Sequence, residues 1–71
     1  MVEKLSAIFD ENGINVIDPN APLELDSMQF ISIIVSIEDT FQIEVPDNYL
    51  SEDQLVNFND FLAMVESVIN Y

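Results

Sequence analysis

The sequence contains no cysteine, no histidine and no arginine, and its one basic side chain is Lys4. Without cysteine there is no disulfide, no thiolate nucleophile and no thiolate metal ligand, which fits an intracellular protein. General acid and base catalysis at neutral pH usually draws on histidine, a tuned carboxylate or a tuned lysine. Because no coherent catalytic set remains, we do not expect an enzyme.

Long apolar runs are also missing. No stretch approaches the roughly 18 residues of a membrane span, and no charged-then-apolar leader opens the chain. The sequence therefore predicts neither a signal peptide nor a membrane span, and we expect a cytoplasmic location. A calcium loop beginning at Asp10 is excluded, because Ala21 stands where the bidentate glutamate would be needed and Ile14 occupies a ligand position. No metal site is expected.

What the chain has in excess is negative charge. Fourteen acidic residues give a formal charge of -13 at pH 7, a field that repels nucleic acid and anionic membranes. The expected partner is a protein with a Lys/Arg patch. At 49% hydrophobic residues the chain should still fold, and 71 residues allow one domain, residues 1–71, with one modest core. We expect a monomer.

Apolar spacing predicts a first helix over residues 2–12, with one apolar face that carries Val2, Leu5, Ile8 and Phe9. Asn12 and Gly13 supply the flexible point that commonly ends a helix. Residues 13–25 contain two prolines and no helical period, so they predict a long connection. Its apolar residues are too many for a loose linker, and we expect them to pack across the helices: Ile14, Val16, Ile17, Leu23 and Leu25.

Asp26 offers a side-chain acceptor for the first amides of a second helix, predicted over residues 27–41. This helix has more apolar residues than one core-facing stripe can hold. One stripe is predicted to be buried: Phe30, Ile33, Ile34, Ile37 and Phe41. A neighbouring stripe is predicted to stay partly exposed, although core packing is about as common for such residues: Met28, Ile31 and Val35.

Residues 42–45 alternate too briefly to build a sheet and predict a loop. Ser51 is predicted to cap a single helical turn through Leu55, with Glu52 and Asp53 at its positive end. Asn57 and Asp60 form a capping-box pattern that opens a final helix, whose apolar face is Phe58, Phe61, Leu62, Val65, Val68 and Ile69. The predicted core is Leu5, Ile8, Phe9, Ile33, Ile34, Ile37, Phe41, Phe58, Leu62 and Val65.

From Leu25 to Pro46 the sequence is LDSMQFISIIVSIEDTFQIEVP. This stretch resembles the acyl carrier protein family, with its peptidyl and D-alanyl carrier relatives. Their pattern is Asp-Ser-Leu/Met, an apolar helix, an acidic end, Phe, and then Ile/Val-Pro. The short helix and the segment from Leu55 to Val65 continue the resemblance, which covers most of the chain. Asp-Ser alone has little specificity, whereas the whole register is specific. The implied fold is all-α, an acyl-carrier-like bundle of three main helices plus one short helix.

The resemblance implies that Ser27 carries a 4′-phosphopantetheine arm, donated by coenzyme A and attached by a phosphopantetheinyl transferase with magnesium. Asp26 is implied to help present Ser27 to that transferase. The arm would hold an acyl or aminoacyl group as a thioester for a loading ligase and for downstream enzymes of fatty acid, polyketide or nonribosomal peptide biosynthesis. Seven positions match the family's contacts with partner enzymes: Met28, Ile31, Val35, Glu38, Asp39, Glu44 and Asp47.

The chain departs from many fatty-acid carriers at Glu24, where they have glycine, and at Gln29 and Ser32, where they place acids. These departures favour a stand-alone carrier of a specialised pathway or one of the D-alanyl type. The alternative function is a non-catalytic acidic helical adaptor for a basic partner protein, in which Ser27 is only part of a helix cap. The two hypotheses differ at Ser27, because an adaptor tolerates Asn or Asp there and a carrier does not.

Overall fold

The computed structural model describes residues 2–51 and 53–69. Over these residues the chain is all-helical, with α1 at Val2–Glu11, α2 at Ser27–Phe41, a 3₁₀ helix at Asp47–Tyr49 and α3 at Phe58–Ile69. The predicted fold class, three main helices plus one short helix, is confirmed. Across the described part of the chain, no helix combines the length and the apolar character needed to cross a bilayer.

The core lies where the three α-helices meet, and aromatic rings form its centre. Phe9 of α1 contacts Phe58 and Phe61 of α3 edge to face, with ring centroids 5.4 and 5.1 Å apart. Such pairs add about 0.5–1.5 kcal/mol beyond the burial of their area. The buried apolar residues are Leu5, Ile8, Phe9, Phe30, Ile33, Ile34, Ile37, Val45, Leu55, Phe58, Phe61, Met64 and Val65.

The predicted core needs correction at two positions. Phe41 and Leu62 are only partly buried and pack against the edge of the core. On α3 the buried side is centred on Phe61 and Met64 instead, because this face is turned toward Phe9 and Phe30. Val45 and Leu55, from the connection between α2 and α3, complete the core and were not predicted in it.

The connection between α1 and α2 starts at Gly13, whose φ of 77° lies in the left-handed region. Its amide donates to the Asp10 carbonyl and the Ile14 amide donates to the Phe9 carbonyl, a Schellman ending of α1. Beyond it, Ile14, Val16, Leu23 and Leu25 pack against the core as predicted.

The prediction for Ile17 is wrong, since 87% of its surface is exposed. Burial alternates from residue 14 to residue 17, with Ile14 and Val16 turned inward and Asn15 and Ile17 turned outward. An extended backbone points successive side chains to opposite sides, so neighbours in this stretch cannot all face the core. Apolar content alone did not reveal that alternation.

The connection between α2 and α3 places its short helix earlier than predicted. Pro46 precedes the 3₁₀ helix with a φ of -61°, a value that suits entry into a helical turn. At Ser51, where the helical turn was expected, the carbonyl accepts from the amides of Gln54 and Leu55 in a simple turn. The Ser51 hydroxyl accepts from the Asp53 amide at 3.2 Å. Glu52 of the predicted turn lies outside the described residues.

The capping box predicted at the start of α3 is confirmed. The Asp60 amide donates to Asn57 Oδ1 at 2.8 Å, and the Asn57 amide donates to Asp60 Oδ2 at 3.3 Å. Asn59 is tied back to the first connection, because its side-chain amide donates to Asn20 Oδ1 at 2.6 Å and its backbone amide donates to the Pro19 carbonyl. These bonds hold the chain that leads into α2 against the beginning of α3.

Candidate functional site

The start of α2 is fixed by a reciprocal capping box. Asp26, in extended conformation with φ -81° and ψ 171°, accepts through Oδ1 from the Gln29 amide at 2.7 Å. In return, the Asp26 amide donates to Gln29 Oε1 at 3.2 Å. The predicted cap by Asp26 is confirmed. Ser27 therefore follows a residue that is hydrogen-bonded on both its side chain and its amide.

Gln29 was not predicted to take part in this cap. The signal was present, because an acidic residue followed three positions later by Gln is the capping-box spacing. The same spacing was recognised at Asn57 and Asp60. At α2, Gln29 was interpreted only as a departure from fatty-acid carriers, and its part in the capping box was not predicted.

Ser27 is exposed and occupies the first residue of α2. A helix leaves its first amides without intrahelical acceptors, and its N-terminus carries a partial positive charge. The capping box binds the amides of Asp26 and Gln29, while no acceptor within the described residues binds those of Ser27 and Met28. A hydroxyl at this point is placed to bear an anionic substituent.

An open groove of about 350 Å³ begins at Ser27 and runs along α2. Apart from Ser27, every residue that lines it is apolar: Phe30, Ile31, Ile34, Val35 and Leu50. Phe30 and Ile34 are buried, whereas Ile31, Val35 and Leu50 are exposed. These residues fit an arm that is joined through a phosphate and continues as a largely uncharged chain. The amides of Ser27 and Met28 can bind the phosphate, and the adjoining groove can hold the uncharged chain.

Leu50 is the lining residue that sequence reasoning missed. It follows the 3₁₀ helix and is 43% exposed. No local pattern predicts that Leu50 lines the groove, because a single leucine in a short connection has no periodicity that indicates which element it faces. Its position beside Ile31 and Val35 depends on how the connection after α2 folds back.

The three apolar residues predicted to lie on an exposed stripe of α2 do so. Met28 is 82% exposed, Ile31 61% and Val35 56%. Core packing, the other possibility for these side chains, is thereby excluded for this chain. Ile31 and Val35 also belong to the groove, so the exposed stripe and the groove are one continuous apolar surface next to Ser27.

The four acidic residues of the predicted partner face are not equivalent. Asp39, Glu44 and Asp47 are exposed. Glu38 is partly buried, and its Oε2 accepts from the Val45 amide at 3.0 Å. This carboxylate fastens the connection after α2 to the helix, a structural role that the sequence did not indicate.

Comparison with known proteins gives one result. The family described as "phosphopantetheine attachment site" matches residues 3–65, most of the chain. Neither the curated proteins nor the solved structures gave a match. The resemblance found in the sequence is confirmed. The chain belongs to the phosphopantetheine attachment-site family, the acyl carrier proteins, whose cofactor is covalently attached 4′-phosphopantetheine.

Proposed function

We propose that this chain is a stand-alone acyl carrier protein whose Ser27 bears the 4′-phosphopantetheine arm. The observation that carries the proposal is the exposed Ser27 hydroxyl at the capped start of α2. It lies at the end of an apolar groove and beside two amides for which the described residues supply no acceptor. Family membership supports the proposal, because the family carries covalently attached 4′-phosphopantetheine. When attached, the arm supplies a terminal thiol that holds an acyl group as a thioester.

The attachment step uses one atom of this chain. Ser27 Oγ forms a bond to the β-phosphorus of coenzyme A while the bond from that phosphorus to the bridging pyrophosphate oxygen breaks. Adenosine 3′,5′-bisphosphate leaves with the electron pair, and the hydroxyl proton passes to a base that the transferase supplies. Asp26 is proposed to help present the hydroxyl to the transferase and its magnesium ion; its position next to Ser27 supports this role, as does the use of Oδ1 alone in the capping box.

The proposed partners are a phosphopantetheinyl transferase, a loading ligase and biosynthetic enzymes with basic patches, in the cytoplasm. The charge of -13 supports basic partner surfaces, because it accelerates encounter with them. A partner can bury the exposed apolar stripe in the interface. Its basic patch can contact three exposed acidic residues, Asp39, Glu44 and Asp47. An acidic adaptor would use the same surfaces, including Ile31 and Val35 of the groove, so the two hypotheses differ only at the modification of Ser27.

Intact-mass measurement tests the attachment. After incubation with coenzyme A, magnesium and a promiscuous transferase, we expect the mass to rise by one phosphopantetheine. Ser27→Ala should show no increase, although Ser6, Ser32, Ser36, Ser51 and Ser67 remain as internal controls for hydroxyl specificity. No gain in the natural chain, or an equal gain in Ser27→Ala, would overturn the proposal.

The apolar lining of the groove supports an acyl cargo over an aminoacyl one. An aliphatic chain gains by leaving water for this surface, whereas the ammonium group of an aminoacyl cargo is costly to desolvate. We expect hexanoyl cargo to shift the methyl NMR signals of Ile31, Ile34 and Leu50, and alanyl cargo to leave them near their positions in the unloaded carrier. Equal shifts with both cargoes would remove the argument for acyl selectivity.

A further inference from the structure

We propose that Asn12 is a site of spontaneous deamidation and that Ser32 protects it, through the hydrogen bond that joins α2 to the end of α1. Asn12 is followed by Gly13, the one glycine in the sequence. An asparagine followed by glycine deamidates most readily, because a residue without a Cβ leaves its backbone nitrogen open to close approach. The inference does not depend on the proposed attachment at Ser27.

Deamidation at this position uses atoms of this chain and water. The Gly13 amide gives up its proton to hydroxide, and its nitrogen forms a bond to Asn12 Cγ. The bond from Cγ to Nδ2 breaks, and Nδ2 leaves as ammonia with a proton taken from water. Water then opens the cyclic imide at one of its two carbonyl carbons, which leaves either aspartate or isoaspartate at position 12.

Three hydrogen bonds hold the reacting groups away from this path. Asn12 Nδ2 donates to the Ile8 carbonyl at 2.7 Å, which turns the side-chain amide back toward the preceding turn of α1. The Gly13 amide, which is the nucleophile, donates to the Asp10 carbonyl at 3.0 Å. Asn12 Oδ1 accepts from Ser32 Oγ at 2.6 Å. Attack therefore requires the Gly13 amide to leave Asp10 and the Asn12 side chain to rotate toward Gly13.

Of these three bonds, the one from Ser32 comes from another helix. The first two lie within α1 and its ending, so both open when the last turn of that helix frays. Ser32 lies 20 residues later, within α2, and its bond keeps the Asn12 side chain in place during such fraying. An ionised carboxylate, which many fatty-acid carriers have at this position, has no proton to donate to Oδ1. The departure at Ser32 is therefore what makes the protection available.

Conversion of Asn12 would weaken the junction between α1 and α2. An aspartate at this position has no N–H to donate to the Ile8 carbonyl, and it adds a carboxylate directly after Asp10 and Glu11. These charges lie at the C-terminal end of α1, where the helix dipole disfavours negative charge. Isoaspartate lengthens the main chain by a methylene group just before the left-handed Gly13. We therefore expect the deamidated chain to be less stable.

Timed incubation of the folded chain at mildly alkaline pH tests the inference. Proteolytic peptides that contain residues 12 and 13 are separated, and mass spectrometry measures the fraction converted from amide to acid. The test variant is Ser32→Ala, which removes the donor to Asn12 Oδ1, and Ser32→Thr restores a hydroxyl. Ile33→Val is the matched control, since it loosens the core at the neighbouring position and leaves Ser32 unchanged.

We expect Ser32→Ala to deamidate at Asn12 about two- to tenfold faster than the natural chain, the scale of one hydrogen bond in a local opening equilibrium. Ser32→Thr should be slower than Ser32→Ala, and Ile33→Val should stay close to the natural rate. The natural chain unfolded in guanidinium chloride should be faster than every folded variant, because all three bonds are open. Asn12→Asp, which reproduces the aspartate product, should unfold at a lower urea concentration than the natural chain.

Equal rates for the natural chain and Ser32→Ala would overturn the inference. So would a slower Ser32→Ala, because the hydroxyl would then activate the Asn12 carbonyl instead of protecting it. If Ile33→Val deamidates as fast as Ser32→Ala, the reaction follows general unfolding and Ser32 has no particular role. No conversion at Asn12 even in the unfolded chain would remove the site itself, and an Asn12→Asp variant as stable as the natural chain would contradict the weakening of the junction.

Discussion

The two faces of α2 have similar composition and different surroundings. Ile33 is fully buried, whereas Ile31, two residues earlier on the same helix, is 61% exposed. Both are isoleucines in regular helical backbone, so neither residue type nor local conformation separates them. The difference is set by what lies opposite. Ile33 faces the core, and Ile31 lies on the open groove beside Ser27.

An exposed apolar face of this kind is usually a binding surface in a soluble protein. The stripe formed by Met28, Ile31 and Val35 adjoins the proposed attachment residue. We therefore interpret the buried face of α2 as the part that maintains the fold and the exposed face as the part that partners contact. Substitutions on the two faces of α2 should therefore have different effects.

The largest effect is expected from Ile33→Ala. Removing a fully buried isoleucine side chain loses its transfer free energy and leaves a cavity, so unfolding should become easier by about 2–5 kcal/mol. For a domain of this size that is a large share of the total stability. Urea denaturation followed by circular dichroism measures the change.

Ile31→Ala is the matched control, with the same atoms removed from the same helix. Its stability should stay within about 0.5 kcal/mol of the natural chain, as for other surface substitutions. If Ile33→Ala fails to fold, Ile33→Val gives a milder version with an expected loss of about 0.5–1.5 kcal/mol. Equal losses for Ile31→Ala and Ile33→Ala would show that the two faces are not distinct.

A second test concerns Glu38, at the border between the faces. Glu38→Ala removes the acceptor of the Val45 amide, and Val45 is a buried residue. Leaving this partly buried donor without its acceptor costs up to about 1–3 kcal/mol, so this variant should be less stable in urea denaturation. Asp39→Ala removes a neighbouring exposed carboxylate and should be neutral or slightly stabilising, because it lowers the self-repulsion of a chain at -13. A neutral result for Glu38→Ala would show that its carboxylate is available to partners after all.

Glu38 and Asp39 show which features could be predicted from the sequence and which could not. The helices, both capping signals at Asp26 and Asn57, and the two stripes of α2 follow from local periodicity and side-chain chemistry, and the structure has them. The inward turn of Glu38 could not be predicted, because it depends on the Val45 amide seven residues later and on the path of the intervening loop.

The connection between α2 and α3 shows the same limit. Its short helix was placed at Ser51 from capping chemistry, whereas the structure has it after Pro46, and Leu50 and Leu55 take tertiary positions that no periodic pattern encodes. At the site itself, Asp26 and Ser27 were identified from the family's motif, which is local in sequence. The groove beside them was not, since it is formed by two segments that meet only in the folded chain.

A third prediction concerns the function of the exposed face. Ile31→Ala should raise the KM of a phosphopantetheinyl transferase for this carrier about fivefold while kcat stays unchanged, because contact area is lost without disturbing Ser27. Steady-state kinetics measure both constants, and Ala63→Ser, at an exposed position of α3, serves as the surface control. A fall in kcat with KM unchanged would place Ile31 in the geometry of the reaction instead of in the docking surface.

The smallest effect on stability is expected for substitution of Gln42, at the C-terminal end of α2. Gln42 follows α2 with φ 55° and ψ 51°, a left-handed conformation that costs a residue with a Cβ roughly 1–2 kcal/mol. Its side chain offsets part of that cost, because Nε2 donates to the Asp39 carbonyl at 2.6 Å. Gln42→Gly removes the strain but also loses this exposed hydrogen bond and increases the freedom of the unfolded chain.

We expect Gln42→Gly to be more stable than the natural chain by a few tenths of a kcal/mol, up to about 1 kcal/mol, in the free energy of unfolding. Thermal and urea unfolding measure the change. Gln42→Ala keeps the strain and loses the bond, so it should be less stable than both other chains. If Gln42→Gly were less stable than the natural chain and still more stable than Gln42→Ala, the lost bond from Gln42 to Asp39, together with the added freedom of the unfolded chain, would outweigh the backbone strain. The end of α2 would then be held by its side chain, as the beginning of α2 is held by Asp26 and Gln29.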